Sequence, residues 1–352
     1  MLEGLRKAAR RAVGAPGYAA PAPGGAWFSR DEAIMGTSIR VELWDRDEGA
    51  AAEAMAAVMD EMHRIDRAMS PYKLDSELSR VNREAAARPV PVSRELCELL
   101  DRALEFSRLS DGAFDVTYAS VGRLYDYRER VRPDAAALAQ ARAAVGYAHL
   151  QVDAQACTVR FGRPGMCIDL GGFAKGHAVE NAAQLLRRRG IERAIVTAGG
   201  DSRILGDRGD RPWTIGVRDP RRAGALAAVL PLRDVAVSTS GDYERYFEAD
   251  GVRYHHILDP RTGVSPDRVR SVTTIAPDGL TSEALSKCVF VLGVEAGLRL
   301  VQSRPGADAV VVDADGAVHF SAGLRPVAQT GAARDRRGFH PNAESSAQKA
   351  TV

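Results

Sequence analysis

The sequence predicts an α+β fold, and three observations carry that expectation. Amphipathic helical periodicity is concentrated early, short strand-like runs crowd the second half, and no repeat or obvious linker divides the middle. The chain of 352 residues, 45% hydrophobic and 27% charged, is long enough for one large domain or two ordinary ones with a sizeable core. Residues 1–27, rich in Ala, Pro and Gly, read as a flexible leader, 28–324 as the folded domain and 325–352 as a disordered tail.

Within 28–324 the elements follow in order. "SIRVELW" (38–44) alternates like a strand, and "AAAEAMAAVMDEMHRIDRAMS" (50–70) carries the spacing of an amphipathic helix. A second helix starts at Ser93, an N-cap residue by type, and stops near Leu109 at "SDG". "GAFDVTYASVGRLYDYRE" (112–129) has no clean period and reads as a long aromatic-bearing loop. A short helix (134–145), strands near 157–161 and 166–170, and a helix from about Phe173 come next. After Gly190 the runs "RAIVTAGG", "WTIGVRD", "LAAVLPL", "VAVSTSG", "YHHILD" and "SVTTIAP" are separated by Gly, Asp and Pro turns and read as strands. Two helices, "TSEALSKCVFVLG" and "EAGLRLVQS", precede strands at 308–312 and 317–320.

Charge and composition narrow the function classes. Forty-eight basic residues against 46 acidic leave a net charge of +2, which makes no electrostatic case for nucleic acid or a membrane surface. The basic clusters "LRKAARRA" and "RDRRG" read as solvated tails. Cys97, Cys157, Cys167 and Cys288 show no CxxC spacing, so neither a zinc site nor a disulfide framework is indicated. No apolar run approaches the ~20 residues of a membrane span, and the start of the chain lacks the apolar core of a signal peptide. Taken as written, the chain is expected to stay in the cytoplasm.

Three stretches carry chemistry. "IDLGGFAKGHAVE" (168–180) places Asp169, Gly171, Gly172 and Lys175 where a strand is expected to turn into a helix. Helix-start N–H groups with glycines nearby favour an anion such as a phosphate, and Lys175 adds positive charge; an ordinary tight turn is the alternative. GxxxxGK[ST] and GxGxxG are both absent. In "RYHHILDPRTG" (253–263) adjacent strand positions send His255 and His256 to opposite faces, so one of them can face a site as a proton carrier or hydrogen bonder. In "TSEALSKCVF" (281–290) Glu283 and Lys287 are four apart on a helix, the spacing of a surface ion pair worth roughly 0.3–0.5 kcal/mol.

The ordered set "MGT" (35–37), "SPYKLDSELSRVN" (70–82), "GAFDVT" (112–117), "IDLGGFAKG" (168–176), "AGGD" (198–201), "STSGDYERYF" (238–247), "HILDPRTG" (256–263) and "SEALSK" (282–287) resembles the FAD:protein FMN transferase family, ApbE, from about Glu32 to Leu324. That resemblance implies a compact α+β unit. It also implies Mg2+-dependent transfer of FMN from FAD to a Ser or Thr hydroxyl of an acceptor protein, releasing AMP. By position, Met35, Tyr72, Ala113, Phe114, Asp115, Asp169, Lys175 and His256 would line the FAD site, with His256 and Lys175 in catalytic roles. The metal would be held by the backbone carbonyl of Gly172 and the side chains of Glu283 and Lys287. Family members often act on the far side of the bacterial inner membrane, which makes a periplasmic location the alternative.

The match breaks at the metal positions. The family pattern has Asp where this chain has Glu283 and Thr where it has Lys287; Thr197 and Ser202 are smaller departures. An ammonium roughly 4 Å from a divalent ion is repelled by about 8 kcal/mol at an effective dielectric near 20. Lys287 therefore swings away, loses its proton, or stands where the metal stood. Two rivals to transfer follow: a non-catalytic FAD-binding protein, and an FAD pyrophosphatase giving FMN and AMP.

Overall fold

The computed structural model describes residues 24–222 and 224–324. The expected tail and nearly all of the expected leader lie outside these residues.

Eight strands form one antiparallel sheet: β1 (Ala26–Ile34), β2 (Thr37–Asp45), β6 (Ala194–Ala198), β7 (Asp201–Leu205), β10 (Ala236–Gly241), β13 (Val269–Ala276), β14 (Asp308–Asp313) and β15 (Val318–Phe320), side by side in that order. Ala26 and Trp27, counted with the leader by the sequence reading, are already in β1. Trp27 meets Trp213 edge-on at 5.3 Å, and that contact fixes the start of the fold.

Helices cover one face of the sheet. α1 (Glu48–Met69) is capped by Asp47, which accepts from the Ala50 N–H. Its buried Ala51, Ala54, Met55, Val58, Met62, Ile65 and Met69 form one stripe against β1 and β2, as their helical spacing requires. α2 (Glu77–Glu84) and α3 (Arg94–Leu109) follow, and Ser93 caps α3 through the Leu96 N–H as expected. The expected loop at 112–129 is partly helical: a 3-10 turn (Val116–Tyr118) runs into α4 (Ala119–Gly122). Both are too short to show a hydrophobic period. α5 (Ala135–Arg142) is exposed, and a small sheet pairs β3 (Val90–Pro91) and β4 (Leu150–Asp153) with β5 (Thr158–Phe161).

α6 (Ala174–Arg188) packs on β6 and β7, α7 (Gly279–Leu292) on β10 and β13, and α8 (Val294–Gln302) on β14. The opposite face of the sheet is closed by the hairpin β8 (Trp213–Arg218) and β9 (Leu226–Leu232), which buries Trp213, Leu230 and Leu232 against Ile204, Val237 and Ile275. A last hairpin pairs β11 (Tyr246–Ala249) with β12 (Val252–His255), so the expected strand "YHHILD" ends at His255.

Residues 166–170 form no strand. Their backbone groups are met by two side chains and one backbone carbonyl instead of a neighbouring ladder. The Asn82 amide accepts from the Ile168 N–H at 2.8 Å and donates to the Ile168 carbonyl at 2.9 Å. Ser120 Oγ accepts from the Cys167 N–H, and the Asp169 N–H donates to the Val116 carbonyl. An apolar run of five residues looks the same in either arrangement.

Candidate functional site

Several segments converge at one end of the large sheet. The β1–β2 turn is two residues long, Met35 at φ 55° and Gly36 at φ 68°, between the paired Ile34 and Thr37. Both signs fit the tight hairpin turn that matches sheet twist. Glycine takes that conformation freely, whereas methionine holds it at a cost of roughly 1–2 kcal/mol. Ala198 of β6 pairs with Ile39 of β2, and the next turn, Gly199–Gly200, is wedged between neighbours. A Cβ on Gly199 would stand 2.7 Å from Thr37 Oγ1, and one on Gly200 2.6 Å from the Thr239 carbonyl. Asp201 follows at the start of β7 beside Ser238 of β10, and Ser240 lies two residues further along the same face.

Against these strand ends stand the first turns of α6 and α7, crossing backbone to backbone. A Cβ on Gly279 would lie 2.2 Å from the Gly176 carbonyl oxygen, so both positions need glycine. The close crossing brings Glu283 to the start of α6. Glu283 is fully buried; Oε1 accepts from Lys175 Nζ at 2.5 Å and Oε2 from the Gly176 N–H at 2.6 Å. Lys175 Nζ also donates to Asp201 Oδ2 at 2.5 Å. The expected surface ion pair between Glu283 and Lys287 is absent. α7 is enclosed by the sheet, α6 and α8, so its i, i+4 face is interior, and the partner of Glu283 comes from another helix.

Lys287 has its own built surroundings. Its Nζ donates to Ser240 Oγ at 2.7 Å; Ser240 Oγ shares a 2.8 Å hydrogen bond with Ser286 Oγ, and Ser286 Oγ donates to the Glu283 carbonyl. The Lys287 stem lies along Gly172, where a Cβ would stand 3.4 Å from Cε. His256 faces the same place: burial first, then the Lys287 charge, lowers its pKa to about 3, so the ring is neutral. Its Nδ1 is buried with no partner. His255 points the other way, with Nε2 on the Pro266 carbonyl and the ring against Phe290, so the expected split of the two histidines is present.

The electrostatics follow from burial and proximity. Burial disfavours the Lys175 ammonium, but Asp201 and Glu283 outweigh it and raise its pKa. For Lys287 burial is reinforced by repulsion from Lys175, and the pKa falls. Burial also raises Glu283, helped by Asp201 and opposed by the two lysines. Asp169 is raised by burial against the pull of the Gly171 N–H, Arg245 and Lys175. Asp201 Oδ1 and Ser238 Oγ, like His256 Nδ1, are buried polar atoms without a partner. Trp213 Nε1 and His255 Nδ1 are unpartnered away from this corner; what distinguishes these three atoms is that they stand together beside the two lysines.

Of the residues singled out from the sequence, Asp169, Gly172, Lys175, His256, Glu283 and Lys287 come together here. Met35 lines an adjacent hollow of about 540 Å3 with Gly36, Thr37, His63, Asp66 and Lys73. Tyr72, next to Lys73, is 87% exposed. Ala113, Phe114 and Asp115 are buried behind the corner. Phe114 packs on Phe106 and Phe173 at 6.2 and 5.5 Å, and Asp115 accepts from Thr117 N–H, Thr117 Oγ1 and the Tyr147 N–H. Burial raises the Asp115 pKa against those bonds. Five participants lie outside the set expected from sequence: Asp201, Ser240, Asn82, Ser238 and Arg245, which donates to the Gly36 carbonyl and accepts the His256 N–H on its own carbonyl. All five lie inside quoted blocks, but only the fold reveals what each touches.

Magnesium takes about six oxygens in near-octahedral array. Glu283 is the only carboxylate among the three expected ligands, and both its oxygens already accept hydrogen bonds. Lys287 offers an ammonium, which has no lone pair. Among the described residues no group of three His, Cys, Asp or Glu is placed to hold a metal. The residues present do not fit the ion.

The architecture, an eight-stranded antiparallel sheet with helices on one face and a hairpin on the other, is shared with solved structures. The ApbE protein of Thermotoga maritima superposes with a TM-score of 0.78 at 36% identity, over 84% of this chain and 97% of that one. The flavin transferase ApbE of Vibrio cholerae gives 0.77 at 28% identity, over 86% and 99%. The ApbE family profile matches residues 35–311, and the chain belongs to the ApbE family. Among its relatives, the FAD:protein FMN transferase of Treponema pallidum is 35% identical over 316 residues, 84% of this chain and 87% of that protein. One from Klebsiella pneumoniae is 33% identical over 289 residues, 81% and 89%. No helix among the described residues is long and apolar enough to cross a membrane.

Proposed function

We propose that this chain is an FAD:protein FMN transferase: it moves FMN from FAD to a Ser or Thr hydroxyl of an acceptor protein and releases AMP. The observation that carries the reading is the set of unpartnered buried atoms, Asp201 Oδ1, Ser238 Oγ and His256 Nδ1, around Lys175 at the start of α6 and Lys287 on α7. The lysine ammonium groups and Ser238 Oγ can donate to a diphosphate, while Asp201 Oδ1 can only accept and suits a ligand or acceptor hydroxyl. The hollow beside Met35, rimmed by the strained turn, gives room for the rest of the nucleotide.

In this reading the acceptor oxygen attacks the FMN phosphorus, and a P–O ester bond forms. The bond from that phosphorus to the bridging oxygen breaks, and AMP leaves with the electron pair. The hydroxyl proton passes to the neutral His256 ring, whose Nδ1 is buried without a partner; burial and the Lys287 charge lower its pKa, and a bound diphosphate offsets that by favouring the charged ring. Lys287 and Lys175 face the charge that grows on the diphosphate oxygens, and their fixed placement lets them stabilise it without reorganising. Asp201 and Glu283 hold Lys175 in position and keep it charged.

The test is incubation of the protein with FAD and an acceptor protein carrying a flavinylation Ser or Thr. Flavin fluorescence that stays with the acceptor band on a denaturing gel, with an equal amount of AMP, is the expected result. FMN and AMP without labelling would replace transfer by hydrolysis. Tight FAD binding with neither product would leave a flavin-binding protein.

A further inference from the structure

We infer that Lys287 is a tethered counter-cation: its ammonium contacts the diphosphate of bound FAD directly, and the chain binds FAD without a divalent metal ion. The inference rests on the flavin reading above and adds the identity of the cation.

Three observations support it. The first is charge balance. The lysines Lys175 and Lys287 stand among the carboxylates Asp201 and Glu283, and Asp169 faces Lys175 and Arg245 beside them, so positive and negative groups are matched three to three. A bound diphosphate brings two further negative charges; Lys287, which makes no ion pair among the described residues, offsets one of them, whereas a side chain without charge at 287 would leave the diphosphate beside these carboxylates with one lysine fewer.

The second is hydrogen bonding. An ammonium has three donors. Among the described residues Lys287 uses one of them, toward Ser240 Oγ at 2.7 Å, and makes no ion pair. Lys175, by contrast, is held by two carboxylates at 2.5 Å each. Lys287 thus has two donors left for a ligand, against one on Lys175.

The third is placement. The Ser240–Ser286–Glu283 chain of hydrogen bonds fixes the head of Lys287, and contact with Gly172 fixes its stem. That puts the ammonium between the 169–172 corner and His256. A lysine swung aside to clear a metal site would be pointed elsewhere and would lack such a rest.

The experiment is FAD binding by the full chain, followed through flavin fluorescence, in excess EDTA and again with millimolar Mg2+. It is repeated for Lys287→Thr, Lys287→Met and Lys287→Arg, with thermal unfolding of each variant as the folding control. The expected result is that the unaltered chain binds FAD equally in both conditions. Lys287→Met weakens binding about tenfold or more in both, where each tenfold is ~1.4 kcal/mol. Lys287→Arg retains binding, which separates loss of charge from loss of fold. Lys287→Thr binds weakly in EDTA and recovers with Mg2+. Binding by the unaltered chain that collapses in EDTA and returns with Mg2+ overturns the inference and leaves the flavin reading intact, as does undiminished binding by folded Lys287→Met. Absence of FAD binding in every condition removes the flavin reading, and the inference with it.

Discussion

Replacing Glu283 with alanine is the sharpest perturbation of the structure itself. Glu283 is fully buried and accepts from Lys175 Nζ at 2.5 Å and from the Gly176 N–H at 2.6 Å. Removing one member of a buried ion pair costs about 3–5 kcal/mol, because the surviving charge is stranded. The orphaned Gly176 N–H adds part of a further ~1–3 kcal/mol. Two effects offset these. Asp201 still holds Lys175, and the burial that raises the Glu283 pKa shows that its charge is held against a desolvation cost, which the substitution recovers. The expected net loss is about 3 kcal/mol. Urea unfolding followed by circular dichroism measures it, with the slope of the transition unchanged. A loss below ~1 kcal/mol would mean that the carboxylate is solvated, as in an ordinary surface pair, and the account of the α6–α7 crossing would fail.

Gly279→Ala should destabilise by about 1–3 kcal/mol or more, since its Cβ would stand 2.2 Å from the Gly176 carbonyl and force the two helices apart; thermal unfolding reads it. Asn82→Ala leaves the N–H and carbonyl of Ile168 without their side-chain partners, and should cost about 2–3 kcal/mol while quickening amide exchange at 168. The Glu95 carboxylate is held well below its ordinary value of 4.5 by the hydrogen bond from His177 and then that from Arg64. A depressed carboxylate contributes stability above its unfolded pKa and loses it as pH falls toward the folded one. Acid titration of stability should therefore steepen below about pH 4.5, and Glu95→Gln should flatten that limb.

Much of the fold was legible because its long elements carry strong periods. The stripe in α1 runs over 22 residues, and Ser93 and the strands after Gly190 are marked by cap and turn chemistry. What escaped was set by distant partners. Residues 166–170 look like a strand but are paired by Asn82 and Ser120, two side chains far away in sequence. Glu283 and Lys287 look like a surface pair because spacing on a helix says nothing about what encloses it. The corner at 169–176 was recognisable from its glycines and Lys175, yet the carboxylates that hold Lys175 come from β7 and α7, and no local pattern links them. His255 and His256 do point apart as strand alternation predicts, although β12 ends at His255 and His256 is held by its N–H on the Arg245 carbonyl.

The most direct measurement is a crystal structure of the chain grown with FAD and Mg2+. The account predicts diphosphate oxygens within hydrogen-bonding distance of Lys287 Nζ, beside the Gly172 corner and His256, with no metal ion between them. A diphosphate held elsewhere, or a magnesium ion seated on Glu283 with the Lys287 ammonium turned away, would contradict it.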